Sequence, residues 1–294
     1  HSRRGAGPSL WLFISTLVLC LPARAEKVWV GSSDSNWFTA TNWAPNGVPG
    51  NGDDVTISST GGTANVLLTN SPAALNSLIV SNRTIAFSNW MTVVTSTTVT
   101  IKNGAILTTA PAMFDGQMSN RVQVVCADFV LENGGQVDVS AKGYRGGDYW
   151  NGNGTGRGTV RGGGAGHGGR GGDGGSQMNG IGGVAYDVAN APTLIGSGGG
   201  GDTVTNRVAA HGGGAVLINA SGTVTINGTI NASAGSSAAY TGGGAGGSIY
   251  IICNTLAGTT SGVVRANGTA GQNEGGNGGG GMIEDLRVSN NSHY

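Results

Sequence analysis

The side chains with chemistry to offer are few, and they gather in one glycine-rich region. Between Arg145 and His211 stand Arg145, Asp148, His167, Arg170, Asp173, Asp202 and His211. Carboxylates and imidazoles of this kind move protons in polysaccharide lyases and glycoside hydrolases, where an acid and a base must sit within hydrogen-bond reach of one reacting atom. Asp148, His167, Asp202 and His211 are the catalytic candidates, provided that the glycine-rich region folds back and brings them into one groove. The plainer alternative is that they are solvated or turn-stabilising side chains scattered along a connector. A second chemistry comes from rings. The stretch "GYRGGDYWNGNG" holds Tyr144, Tyr149 and Trp150 beside Arg145. A sugar stacks its apolar face on an exposed ring while polar groups at the rim take its hydroxyls. Tyr144, Arg145, Tyr149, Trp150 and Arg170 are therefore the candidate ligand-binding residues. The competing reading is that the rings pack on the body of the fold and anchor the connector.

Other chemistries are excluded by context. Gly164 to Gly169 reads as a formal G-x-G-x-x-G. That motif binds a dinucleotide only when a core strand precedes it and a helix opens after it. Here more glycine surrounds it on both sides. No Gly-Lys pair occurs in the chain, so the phosphate loop of nucleotide hydrolases is absent. "GGRGGDGGS" imitates a calcium-binding nonapeptide but lacks the apolar residue that faces the roll, and Asp173 is not one of a stacked series. Cys126 and Cys253 have no zinc-ligand spacing; they form one disulfide or remain two buried thiols. The expectation is a chain with no cofactor and no metal. Its formal net charge is zero, and only 10% of residues are charged, which argues against nucleic acid as a partner.

The elements that position these residues follow from composition and repetition. The 294 residues include 58 glycines and 38% apolar side chains, a poor mixture for an ordinary compact core. Arg3 and Arg4, the apolar run from Leu10 to Pro22 and the Ala23-Arg24-Ala25 site together read as a signal peptide cleaved after Ala25. The expected mature protein is secreted or held at the cell surface, with no transmembrane segment. After it come short Val-, Ile- and Thr-rich bursts, such as "LNSLIVSN" and "TVTIKNG", punctuated by turn residues every eight to twelve positions.

Internal repetition sharpens this into a fold. Gly213–Gly235 aligns with Gly246–Gly271 at an offset of 33 at the glycines and 34 at the alanines, Ala232 against Ala266. A weaker third copy begins at Val124 and places Ala141 at the same position. Units that cannot bury an apolar face alone must stack. The expected architecture is all-β, a right-handed parallel β-helix with Gly-rich insertions, rather than a β-sandwich. The organisation predicted is a signal peptide over 1–25, a Trp-rich cap over 26–60, coils over 61–142, a Gly-rich insertion over 143–212 and Gly-rich repeats over 213–294. The insertion is expected to form partly ordered strands on the solenoid, because a structureless loop of that length would be exceptional. The Asn-x-Ser triplets at Asn219 and Asn231 are read as turns.

Two resemblances accompany this reading. The pattern of Trp29, Trp37, Asn42, Trp43, Gly47, Pro49 and Asp53 resembles the Trp-rich unit at the start of exported bacterial surface proteins of the autotransporter-passenger and PEP-CTERM-associated kind. Trp29, Trp37, Asn42, Trp43 and Asp53 would then cap the open end of the solenoid. The segments Gly212–Ala215, Gly228–Ile230, Gly242–Ile249 and Gly278–Gly281 resemble large secreted Gly-rich repeat proteins of adhesin-like character. What the resemblance implies is a structural or adhesive role at the cell surface, contacting extracellular polysaccharide or surface glycans. The alternative on the same scaffold is a polysaccharide lyase or glycoside hydrolase.

Overall fold

The computed structural model describes residues 26–59, 62, 65–117, 121–203 and 207–287. The expected signal segment, 1–25, lies outside the described residues. The first strands are β1 (Glu26–Trp29), β2 (Trp43–Ala44), β3 (Asp54–Ile57), β4 (Asn65–Leu68), β5 (Leu75–Val80) and β6 (Thr84–Phe87). Next come β7 (Val94–Ile101), β8 (Ile106–Thr109), β9 (Arg121–Leu131) and β10 (Gln136–Asp138). After a long gap follow β11 (Ala215–Ala220), β12 (Thr223–Ile226), β13 (Thr229–Asn231), β14 (Ser248–Cys253), β15 (Thr255–Gly258), β16 (Val263–Arg265) and β17 (Met282–Arg287). One 3-10 turn, Ala40–Asn42, is the helical content of the described residues.

The chain is all-β and its sheets are parallel. One sheet runs β17-β14-β11-β9-β7-β5-β3-β1-β2, with β12 joining β9 to β15; the other runs β16-β13-β10-β8-β6-β4. Among the described strands only the β1–β2 pair is antiparallel, and one isolated antiparallel bridge joins Asp148 to Val208. From β3 to β10 the chain alternates strictly between the two sheets. Each return therefore lays a strand beside its predecessor.

Alternating side chains explain the stacking. In "DVTI" of β3, Val55 and Ile57 are buried while Asp54 and Thr56 are half-buried, the period-two pattern of a strand with one covered face. Val55 pairs with Leu78, Leu78 with Val99, and Val99 with Phe129. The other sheet carries an equivalent column, with Val66 on Ile85, Ile85 on Leu107, Leu107 on Val137 and Val137 on Ile230. Both columns belong to one apolar cluster from Trp29 to Ala266. Each fully buried side chain of this size contributes roughly 1.5–3 kcal/mol of transfer free energy.

The repeat offset of 33 is the strand register. Ala215 faces Ser248 in β11–β14, and the offset becomes 34 where Asn231 faces Arg265. The third copy is displaced from the expected alignment. Asp138 faces Asn231, so Val139 rather than Ala141 occupies the position of Ala232. Ala141 instead adopts a left-handed conformation, φ 54°, and donates its N–H to Ser233. Asn219 and Asn231 also differ from expectation, lying in β11 and β13 rather than in turns.

At the β1 end the three tryptophans close the core. Trp29 and Trp37 are fully buried and Trp43 nearly so. Trp43 meets both others edge-on, with centroids 5.0 Å from Trp29 and 4.7 Å from Trp37, and donates its Nε1–H to the Trp37 carbonyl at 2.7 Å. Asn42, also fully buried, accepts the Ser33 N–H and donates to Asp34 at 2.7 Å and to the Asn36 carbonyl at 2.9 Å. Asp53 accepts the Gly50 N–H at 2.8 Å and ties the turn before β3.

The described residues between β10 and β11 include no ladder strand, yet they are densely bonded. Their segments run side by side and exchange backbone hydrogen bonds laterally. Residues 196–200 alone donate to Gly213, Asn153, Ala210 and Gly163, and accept from Tyr144, Gly147, Gly158, Ala245 and Gly242. The neighbours come so close that side chains are sterically forbidden: a Cβ on Gly200 would overlap the Thr159 carbonyl. Residues 241–247 and 275–281 join the same packing, with Gly243 bonding to Gly276 and Ala165 to Gly243.

Candidate functional site

Arg145 stands where the glycine-packed region meets the sheets. Its backbone is fixed on both sides: the N–H donates to Met113 at 2.8 Å, and the carbonyl accepts from Asn153 N and Nδ2, each at 3.0 Å. Neighbouring residues are held by the bundle, Tyr144 N–H on Gly196 and Gly147 N–H on Gly199, both at 2.9 Å. The guanidinium lies 5.0 Å from the centroid of the Phe114 ring. Two clefts share it as a wall.

The larger cleft, about 580 Å³, is lined by Arg145, His211, Val208, Ala209, Ser236 and Ser237 among others. His211 accepts the Gly146 N–H on Nδ1 at 3.0 Å, so its proton sits on Nε2. Burial, and then the positive charge of Arg145, push its pKa below the usual histidine value, which favours that neutral form. The smaller cleft, about 370 Å³, is lined by Phe114, Arg145, Asp148, Trp150, Asn151 and Asn153. Trp150 is 70% exposed and Phe114 53%. Tyr149 meets Trp150 edge-on at 5.1 Å and holds a φ of 87°, a costly conformation for a side chain of this size. Asn153 is held by the Asp115 N–H at 3.2 Å, and Asp115 pairs with Arg157 at 3.4 Å.

The remaining candidates lie in different settings. His167 is fully buried. Its Nδ1 meets the Gly246 carbonyl at 2.7 Å, its Nε2 meets Asp187 at 3.2 Å, and its ring packs on Tyr186 at 4.7 Å. Asp187 also accepts from Thr193 N, Leu194 N, Val188 N and Ser248 Oγ. Burial alone would raise this carboxyl, but the hydrogen bonds from His167, Leu194 and Val188 together with the charge of His167 hold it at about 2. Here the carboxylate, not the imidazole, touches the serine. A nucleophilic triad needs the imidazole in the middle. This cluster fastens the segment 186–197 onto β14.

Asp202 is buried and pairs with Arg207 at 2.6 Å; that guanidinium lies 4.9 Å from the Tyr240 centroid. Arg170 and Asp173 form an exposed pair at 2.7 Å, and Asp173 also accepts the Gly182 N–H. Tyr144 is half-buried against Met113, Ile195 and Ala215. Of the four catalytic candidates, no two are joined by a hydrogen bond or ion pair among the described residues; Asp148 and His211 line the two clefts that Arg145 separates. Phe114, Tyr186, Asp187 and Ser248 were not legible as functional positions. Phe114 follows β8 in an ordinary turn, and Asp187 gains meaning only from its buried partners.

Cys126 and Cys253 are both free and buried. Cys126 faces Ala220, and Cys253 follows Ile252, the last β14 residue paired with β11, so two strand spacings, roughly 9.6 Å, separate them. A disulfide needs about 7 Å or less between Cα atoms. Burial, then Asp128, push the Cys126 thiol up to about 12, which removes it as a nucleophile. Among the described residues no three of His, Cys, Asp and Glu are placed to hold a metal ion, and no helix is long and apolar enough to cross a membrane.

A family model described as Domain of unknown function (DUF8693) matches residues 28–145. The match runs from the tryptophan cap through β10 and stops at Arg145, where the glycine-packed region begins. No curated protein and no solved structure matches the chain.

Proposed function

We propose that this is a secreted or cell-surface structural protein, adhesin-like and of the autotransporter-passenger type, that contacts glycans through the groove around Arg145. In this reading the two parallel sheets are faces of a right-handed parallel β-helix, capped by Trp29, Trp37 and Trp43 and flanked by the glycine-packed region. The scaffold supplies length and resistance to proteases, because its strands leave few backbone groups unpaired. The observation that carries the glycan reading is the exposed Trp150 and Phe114 beside Asp148, Asn151 and Asn153. Large exposed rings with amides and a carboxylate at the rim suit a sugar ring.

The lyase or hydrolase alternative would have to work with Asp148 and His211. His167 is sealed from solvent, and Asp202 is engaged by Arg207. Glycan-array binding of the mature chain, followed by incubation with the bound glycans, tests both readings. The expected result is binding without turnover, reduced at least tenfold in Trp150→Ala with an unchanged melting temperature. Absence of binding overturns the glycan reading, and turnover lost in His211→Ala replaces it with the enzyme.

A further inference from the structure

We infer that the groove selects glycans bearing negative charge, uronate or sulfated sugars, with Arg145 as the partner of the anionic group. The inference rests on the glycan-binding reading and adds the class of ligand. Asp148 lines only the smaller cleft, and two further carboxylates are engaged by arginines. Asp115 is paired with Arg157, and Asp202 with Arg207. Arg145 has no ion pair among the described residues; its guanidinium lies against the Phe114 ring instead.

The two clefts differ in what they offer. Among the described residues no carboxylate lines the larger one. It presents the guanidinium, the hydroxyl of Ser236, and His211, whose Nδ1 is occupied by the Gly146 N–H and whose Nε2 carries a proton to donate; the Ser237 hydroxyl donates to the Ala270 carbonyl at 2.8 Å. Among the described residues that line it, Arg145 is the side chain with a permanent charge, so an anionic oxygen fits it. A planar guanidinium also matches carboxylate or sulfate oxygens in pairs. On the other side of Arg145, Asp148, Asn151 and Asn153 surround Trp150, which suits neutral hydroxyls and a stacked ring. A glycan lying across Arg145 would place its charge on one side and its ring on the other.

Calorimetric titration of the whole chain decides this, using short oligogalacturonides and their carboxyl-reduced neutral counterparts, then sulfated galactan oligomers and their desulfated forms. The expected result is about tenfold tighter binding of a charged form than of its neutral partner, falling with added salt. That advantage should vanish in Arg145→Gln and persist in part in Arg145→Lys, whereas Trp150→Ala should weaken charged and neutral forms alike. Far-ultraviolet circular dichroism melts establish that each variant is folded. Equal binding of charged and neutral forms, or an advantage that survives Arg145→Gln, overturns the inference and leaves the glycan reading standing. Competition by inorganic sulfate with no effect of Trp150→Ala makes this a free-anion site and overturns it too. If none of the four probes binds, the inference and the glycan reading fall together.

Discussion

The sheets and the glycine-packed region are both stacks of extended chain, but opposite means hold them. In the sheets, columns such as Val55, Leu78, Val99 and Phe129 fill the interior, and the backbone is spaced by ladder hydrogen bonds. Between Gly143 and Gly213 the spacing is set by the backbone itself, with carbonyls where side chains would stand. One region tolerates a change of apolar side chain if volume is kept. The other has no volume to exchange. The same contrast explains why exposed rings stand where a segment leaves the packing, as at Tyr149–Trp150, whereas a polar side chain inside it, His167, is fully buried and bonded on both ring nitrogens.

Substitutions can break this contrast, and the largest effect is expected inside the glycine packing. Gly200→Val places its side chain on the Thr159 carbonyl and should destabilise by about 3 kcal/mol or more. Gly169→Ala meets nothing within 4 Å and should be neutral or stabilising by about 0.4–1 kcal/mol. Thermal melts and limited proteolysis distinguish the two. Similar melting of both variants would disprove backbone packing as the organising contact.

Trp37→Ala in the cap should cost about 3–5 kcal/mol in denaturant unfolding, because it empties a fully buried site. Hydrogen exchange would then rise first in β1 to β4 and only later in residues 196–201. Uniform loss of protection would mean that the two regions unfold as one unit.

A smaller effect, of the order of 2 kcal/mol, is expected where the regions are fastened by Asp187. Its folded pKa of about 2 lies below the ordinary 3.8. Stability from this carboxylate is therefore complete above about pH 4 and is lost as pH falls towards 2. Asp187→Asn should remove that acid-dependent loss and lower stability at neutral pH. An unchanged acid transition in Asp187→Asn would show that the clasp contributes nothing. The Trp150→Ala change should scarcely alter stability, since that ring is mostly in solvent.

Much of the strand body was legible because its periodicity is local. "DVTI" and "TVTIKNG" announce one buried face, and the 33-residue offset between Gly214 and Gly247 matches the spacing of the Ala215–Ser248 pair. The burial of Trp29, Trp37 and Trp43 was readable, since large rings in a turn-rich segment need a core to cover them. The third repeat was misaligned by two residues, because Ala141 looks like Ala232 in sequence while the ladder puts Val139 there. The lining of the candidate groove was legible in part. Trp150 and Arg145 stood out by type, but Phe114, some thirty residues earlier, reaches Arg145 only through the return of the chain.

By itself, then, the sequence determined the extended character of the chain, the faces its strands bury and the register of its last repeats, because each depends on residues spaced at short or fixed intervals. Only the tertiary structure decided the fate of the glycines and histidines. Glycine permits both disorder and close packing, and nothing local selects between them; the neighbours at Gly163, Gly198 and Gly242 do. His167 and His211 read alike as imidazoles in a glycine-rich tract. One is buried against Asp187 and the other lines a cleft with Arg145, a difference in surroundings that no spacing along the chain encodes.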